Sequence, residues 1–267
     1  MSRVLFGHLW RSQRTKLLIV CVAMAAWNVF LPVIYQSFGI QMKALVDSGV
    51  IPQQLTNFGG GDVFSLPGAI ALGYVHPISI ILVSIFAVGF ATSAVAGERQ
   101  RGTLEVLLAR PLSRRRIYAT LLAAVLLFVA FVLAAASVGT VIGSALVGVL
   151  DELPLERLPL LWLNGMLLWG TFAALGLAAS VSFDRLTPAL GITVAIVIVM
   201  YFLDILGSLW PDAKGLQPYS LFHYLASRDI LTGTVDLGGL AILAVVGGAA
   251  IAYAASVFPR RDLAAPS

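Results

Sequence analysis

Long apolar runs, separated by short polar punctuation, set the pattern of this chain. Six stretches, at about 16–39, 75–97, 117–150, 160–183, 188–210 and 237–258, each hold enough apolar residues to cross a bilayer, which takes about 20. None shows the narrow apolar stripe of a water-facing helix. Strict alternation over about 10 residues, the mark of a membrane barrel strand, is absent. Open sheet edges cannot be satisfied in lipid, so the runs predict helices. The expected class is an all-α polytopic membrane protein with six transmembrane helices in a single domain spanning 1–267.

Between the runs, the polar residues are unevenly shared. Six spans put both ends on one side. That side carries Arg3, Arg11, Arg14 and Lys16, then Arg99, Arg101, Arg110, Arg114, Arg115 and Arg116, then Arg185, Arg260 and Arg261. The other side keeps Lys43, Arg157, Lys214 and Arg228. The positive-inside rule places both termini in the cytosol. Before the first span, 2–15 mixes Val4, Leu5, Phe6, Leu9 and Trp10 with arginines, as an interfacial helix would. On the outer side, 41–74 contains Pro52, Gly59, Gly60, Gly61 and Pro67, which are turn signals. A second outer stretch, 216–231, is rich in aromatics and suits short helices dipping into the membrane edge.

Composition agrees with this pattern. Hydrophobic residues make up 59% of the 267, and charged residues only 11%, against about 25% in a soluble domain. The basic run at the N-terminus precedes an apolar stretch too long for a signal-peptide core of roughly 7–15 residues, so a retained span is expected. The single cysteine, Cys21, lies within that stretch and excludes an intrachain disulfide.

Chemistry concentrates in one inner loop, Gly97-Glu98-Arg99-Gln100-Arg101-Gly102-Thr103-Leu104-Glu105-Val106-Leu107-Leu108-Ala109-Arg110-Pro111-Leu112-Ser113 and the arginines after it. Leu104, Leu107 and Leu108 recur at helical spacing, while Glu98, Arg101 and Glu105 share another face. Pro111 stops the helix, and Ser113 is placed to cap the next one. A topology anchor needs the arginines but not a leucine face ended by proline; such a face wants a partner groove or the lipid surface. Elsewhere the pattern offers little catalysis. There is no G-x-x-x-x-G-K-[ST] loop, no metal-ligand spacing among His8, His76 and His223, and no nucleophilic triad. The basic residues hug the membrane, which excludes nucleic acid as the expected partner.

Within the spans, Asp204 is the one ionisable residue well inside a predicted helix. Burying it costs about 2.5–3.5 kcal/mol at mid-bilayer, so it is either a pathway residue or a packing and hydrogen-bonding one. Asn28 and Gln36 share a face of the first span, either lining a cavity or bonding to a neighbouring helix. Gly139-x-x-x-Gly143 and Gly248-x-x-x-Ala252-x-x-x-Ser256 permit close helix approach, within the chain or between copies.

The run 97–118 resembles the first cytosolic loop of ABC-2-type transporter permeases, in which a GER…GTLE-LL-P-SR pattern recurs. The stretch 218–225 and the order of spans resemble the same family. The resemblance implies that 98–109 is a coupling helix seated on a separate ATP-binding subunit, with Glu98, Arg101, Gly102, Thr103, Leu104, Glu105, Leu108 and Pro111 at the contact and Asp184 and Arg185 as a smaller second contact. It further implies an assembly of two six-span subunits, expected as a homodimer, with two ATPase subunits that carry the ATP and Mg. No cofactor is expected on this chain. Location in the inner (plasma) membrane and export rather than import complete the expectation. The rival readings are an ion-gradient-driven secondary transporter, which predicts an internal repeat and midplane ionisable groups, and a non-transporting scaffold or assembly subunit.

Overall fold

The computed structural model describes residues 2–39, 41, 45, 46, 48–50, 64–105, 109 and 111–261. Among them every regular element is helical. Five helices are long and apolar enough to cross a membrane: α1 (Arg3–Ile34), α4 (Arg114–Leu146), α5 (Leu158–Ser182), α6 (Leu186–Leu209) and α8 (Leu237–Arg260). A bent pair, α2 (Leu66–Val75) and α3 (Pro77–Ser84), passes the same test when α3 is continued to Phe90, which brings the number of spans to six if the pair counts as one. The short helix α7 (Ser227–Thr232) lies before α8.

The amphiphilic stretch 2–15 is helical, but it is not a separate element. It forms the first turns of α1, which continues unbroken through the first span. Nothing between Thr15 and Leu17 breaks the helix, and a buried stripe runs from Leu5 through Leu17, Val20, Met24, Asn28 and Leu31. At 1.5 Å per residue, α1 is about 48 Å long, well beyond the roughly 30 Å hydrocarbon core. Its partner along this length is α4, which runs parallel to it. The Ser2 amide donates to the Thr120 hydroxyl at 2.8 Å. Trp10 lies 6.0 Å from Phe128 and 5.8 Å from Phe131. Further along, Gly139 and Gly143 sit directly under the backbone of Ala25 and Val29, where any Cβ would collide. This small-residue pair therefore packs α4 on α1 within the chain. Gly248 meets nothing within 4 Å, and the close approach of α8 to α5 falls at its neighbour Gly247, against Thr171.

The second apolar run is the least regular. α2 and α3 meet at a 44° bend, where Pro77 begins α3 and the His76 side chain caps it by accepting from the Ile78 amide at 3.3 Å. Two π-helical segments follow, Ile85–Phe90 and Ser93–Gly97. α2 packs against the C-terminal part of α1, with Gly73 pressed to Leu31 and Asn28. The glycines and Pro52 in 51–63 lie outside the described residues.

The aromatic stretch after α6 folds back among the helices. Two 3-10 segments, Pro211–Tyr219 and Leu221–Tyr224, lower Phe222 between α5 and α6. Its ring lies 5.8 Å from Trp169, 5.4 Å from Phe172 and 5.4 Å from Tyr201. Trp169 is near the middle of α5, roughly 17 Å along it from Leu158. The Asn164 amide holds the Tyr224 carbonyl at 2.9 Å and the Ser220 hydroxyl donates to the Met200 carbonyl.

Candidate functional site

The polar end of the bundle brings three chain segments together: the end of the second span with the loop after it, the α5–α6 connection, and the end of α8. The first begins where the π-helical segment ends at Gly97. The backbone makes one α-helical turn, Glu98–Gln100, and then reverses at Gly102. Gly102 has φ of 71°, a left-handed conformation natural to glycine. The Gly102 amide donates to the Arg99 carbonyl at 3.0 Å and the Thr103 amide to the Glu98 carbonyl at 3.0 Å. These two bonds form a Schellman stop. Helix resumes at Leu104 and Glu105. The expected continuous helix over 98–109 is thus divided at Gly102. Leu108 lies outside the described residues.

The stop gathers polar side chains on the outside. Arg101 pairs with Glu98, and the Thr103 hydroxyl donates to both the carboxylate and the carbonyl of Glu98. Arg101, Gly102, Thr103, Glu105, Ala109 and Pro111 are exposed. Leu104 behaves differently: it is 1% exposed and belongs to the main apolar core. The leucine that the helical spacing assigns to a partner-seeking face instead pins the loop to its own chain. Pro111 precedes an extended Ser113, whose hydroxyl accepts from the Arg116 amide at 3.3 Å and caps α4 as its sequence position predicts.

Asp184 is the centre of the second layer. Its carboxylate accepts from Arg99 at 2.6 Å and also from Arg261. Arg261 donates in addition to the Val181 carbonyl at 2.5 Å. The Gln100 side-chain oxygen accepts from the Leu186 amide at 2.9 Å, at the first residue of α6. Arg114, in the first turn of α4, donates to the Arg261 carbonyl at 2.7 Å and the Pro259 carbonyl at 3.4 Å. A cation is unfavourable at the start of its own helix, but here it neutralises the negative end of α8. Asp184 is about half exposed, so the ion pairs contribute little energy through solvent screening. Their effect is positional: one carboxylate ties the turn at Gly102 to α5, α6 and α8. Arg185 caps no group by its side chain and is exposed.

Immediately above this layer sits Ser180 of α5, fully buried. Its hydroxyl accepts from the Val95 and Ala96 amides, each at 3.0 Å, and donates to the Thr92 carbonyl at 2.6 Å. A π-helical segment displaces backbone groups from the regular ladder, and such segments recur at functional sites. One serine from a neighbouring helix satisfies three of them. Sequence reasoning did not single out Ser180 or Arg261, and it placed Arg99, Gln100 and Arg114 in the loop without their contacts to Asp184, Leu186 and the end of α8. The only signal for Ser180 was a small hydroxyl in an apolar helix; for Arg99 and Gln100 it was their place in an unusually polar turn.

The candidate pathway residues do not assemble. Asn28 is fully buried, donates to the Met24 carbonyl at 2.9 Å and presses on Gly73. Gln36 is exposed beyond it. Asp204 is half-buried near the C-terminal end of α6, with its backbone carbonyl accepting from Gln217 at 3.2 Å and from Ser208 at 2.9 Å.

A helical bundle with five to six apolar spans and a polar, self-tethered loop cluster at one end defines a multi-pass membrane protein. The chain belongs to the ABC-2 family transporter proteins, whose family model matches residues 6–263. It is accordingly a membrane permease subunit of the ABC transporter type, a transport component associated with ATP-binding subunits and the membrane. No curated protein matches the chain significantly.

Proposed function

We propose that this chain receives force from two separate ATPase subunits and uses it to export a substrate across the inner membrane as one half of a homodimer. The basic end, with both termini and the 98–109 loop, faces the cytosol. The observation that carries the reading is the tether: Asp184 joins Arg99 of the docking turn to Arg261 at the end of α8, while Gln100 holds the first residue of α6. A push on the exposed Arg101–Gly102–Thr103 turn is thereby delivered to several spans at once. Above it, the π-helical segments and the 44° bend give the second span places to yield. The outer segment is tucked among α5 and α6 instead of being raised as a platform for a soluble binding protein, which favours export.

Docking and transmission are separable by mutation. In purified complexes, Arg101→Glu combined with Ala109→Asp is expected to weaken ATPase retention by about thirtyfold, the loss of one interface hot spot. Asp184→Ala is expected to keep the ATPase bound while uncoupling its turnover from transport. A wild-type chain that retains no ATPase refutes the proposal, and so does an Asp184→Ala variant with normal coupled transport.

A further inference from the structure

A cavity of about 880 Å³ opens beside the docking turn, between the first turns of α1, the Ser93–Gly97 segment and α4. Its walls divide by chemistry. Leu5, Leu9, Phe90 and Leu121 make an apolar floor, and Arg3 and Arg11 stand on the α1 side. Among the described residues neither arginine has an ion-pair partner, whereas Glu98, the one carboxylate on the lining, is already paired with Arg101. Ser93 and Thr103 add hydroxyls. The cavity thus carries uncompensated positive charge over a greasy base.

Its depth fits one class of ligand. Ser2 is level with Thr120, about 9 Å along α4 from Arg114. On α1 the lining runs from Arg3 to Gln13 and ends just before Lys16, where the apolar span begins, so the cavity lies on the basic side of that boundary, where headgroup meets hydrocarbon. Guanidinium groups bind phosphate through short charge-assisted hydrogen bonds, and a volume in the range of ordinary ligand pockets accommodates a headgroup with the start of its chains. We propose that this cavity holds one anionic phospholipid from the leaflet on the basic side, its phosphate on Arg3 and Arg11 and its chains over Leu5, Leu9 and Phe90. The bound lipid touches Thr103 and Arg101, so the lipid and the docking turn share a wall. The proposal depends on the position of the basic end and not on the transport reading.

The test is native mass spectrometry of the delipidated full-length protein titrated with phosphatidylglycerol, phosphatidylcholine or soluble glycerol 3-phosphate. Wild type is expected to retain one phosphatidylglycerol per chain in preference to phosphatidylcholine, and glycerol 3-phosphate is expected to compete poorly. Arg3→Gln with Arg11→Gln should weaken phosphatidylglycerol retention by about thirtyfold, the equivalent of two basic residues near an anionic headgroup. Arg14→Gln with Arg115→Gln removes the same charge from positions outside the cavity lining and should leave retention unchanged. Gly7→Phe keeps every charge and fills the cavity, because a Cβ at Gly7 meets no atom within 4 Å; it also favours the helix, so lost retention there does not reflect misfolding. Equal losses in the two arginine pairs, retention in Gly7→Phe, equal binding of phosphatidylcholine, or full competition by glycerol 3-phosphate each overturns the proposal.

Discussion

At the scale of single residues, Ser180 and Leu104 hold the basic end of the bundle together in opposite ways. Ser180→Ala leaves the Val95 and Ala96 amides and the Thr92 carbonyl without their shared partner. The expected loss is about 1–3 kcal/mol, measurable by thermal unfolding in detergent, and it should come with weaker coupling of ATP turnover to transport. Leu104→Ala empties a site that is 1% exposed and should cost about 2–5 kcal/mol. Its signature is a lower melting temperature, not merely a weaker ATPase contact. The leucine periodicity announced a helix and an apolar face, yet periodicity cannot say whether that face meets a partner or its own chain. Ser113 was legible because a cap is local chemistry. Ser180 was not, because its partners lie about 85 residues away in sequence.

At the scale of elements, the glycines decide where helices stop and where they touch. Gly102→Ala places a Cβ at φ 71° and should destabilise the turn by about 1 kcal/mol or more. Circular dichroism should show unchanged helix content, while ATPase docking weakens as the turn reorients. Gly139→Leu attacks a different contact. It forces α1 and α4 apart at Ala25, with an expected cost of about 1–3 kcal/mol from overpacking, read as a lower unfolding midpoint. The span pattern was well read from hydropathy for α4, α5, α6 and α8. It was poorly read for the second span, because hydropathy averages over a window and does not register a proline-started bend or π-helical turns. The continuity of α1 was hidden for a related reason: the change from amphiphilic to apolar composition at Lys16 marks a change of solvent, not of backbone.

At the scale of the whole molecule, coverage is uneven. Only 17% of the most apolar window of α6 is buried, against 61% for α5. Ile192, Ile198, Val199 and Phe202 leave α6 with a broad bare apolar face. If a second copy covers it, a single cysteine at Val199, in a Cys21→Ser background, should cross-link chains in native membranes; failure to cross-link with a cysteine scan along α6 counts against α6 as the pairing face. The tethered loop adds an expectation of its own. Asp184 touches both Arg99 and Arg261, so Arg261→Ala should mimic Asp184→Ala in coupled transport although the two residues lie on different connections.

The parallel pairing of α1 with α4 also bears on how the chain is made. The partner of Ser2 lies 118 residues later, and at about 5–20 residues per second it emerges roughly 6–24 s after α1. For that interval the first span must wait in the bilayer without its main neighbour. Asn28, the most polar group on its buried stripe, directs its amide donor to the Met24 carbonyl one turn back in the same helix. The first span can thus be inserted early with that donor already satisfied, and the glycine face of α4 docks onto it when synthesis reaches that point.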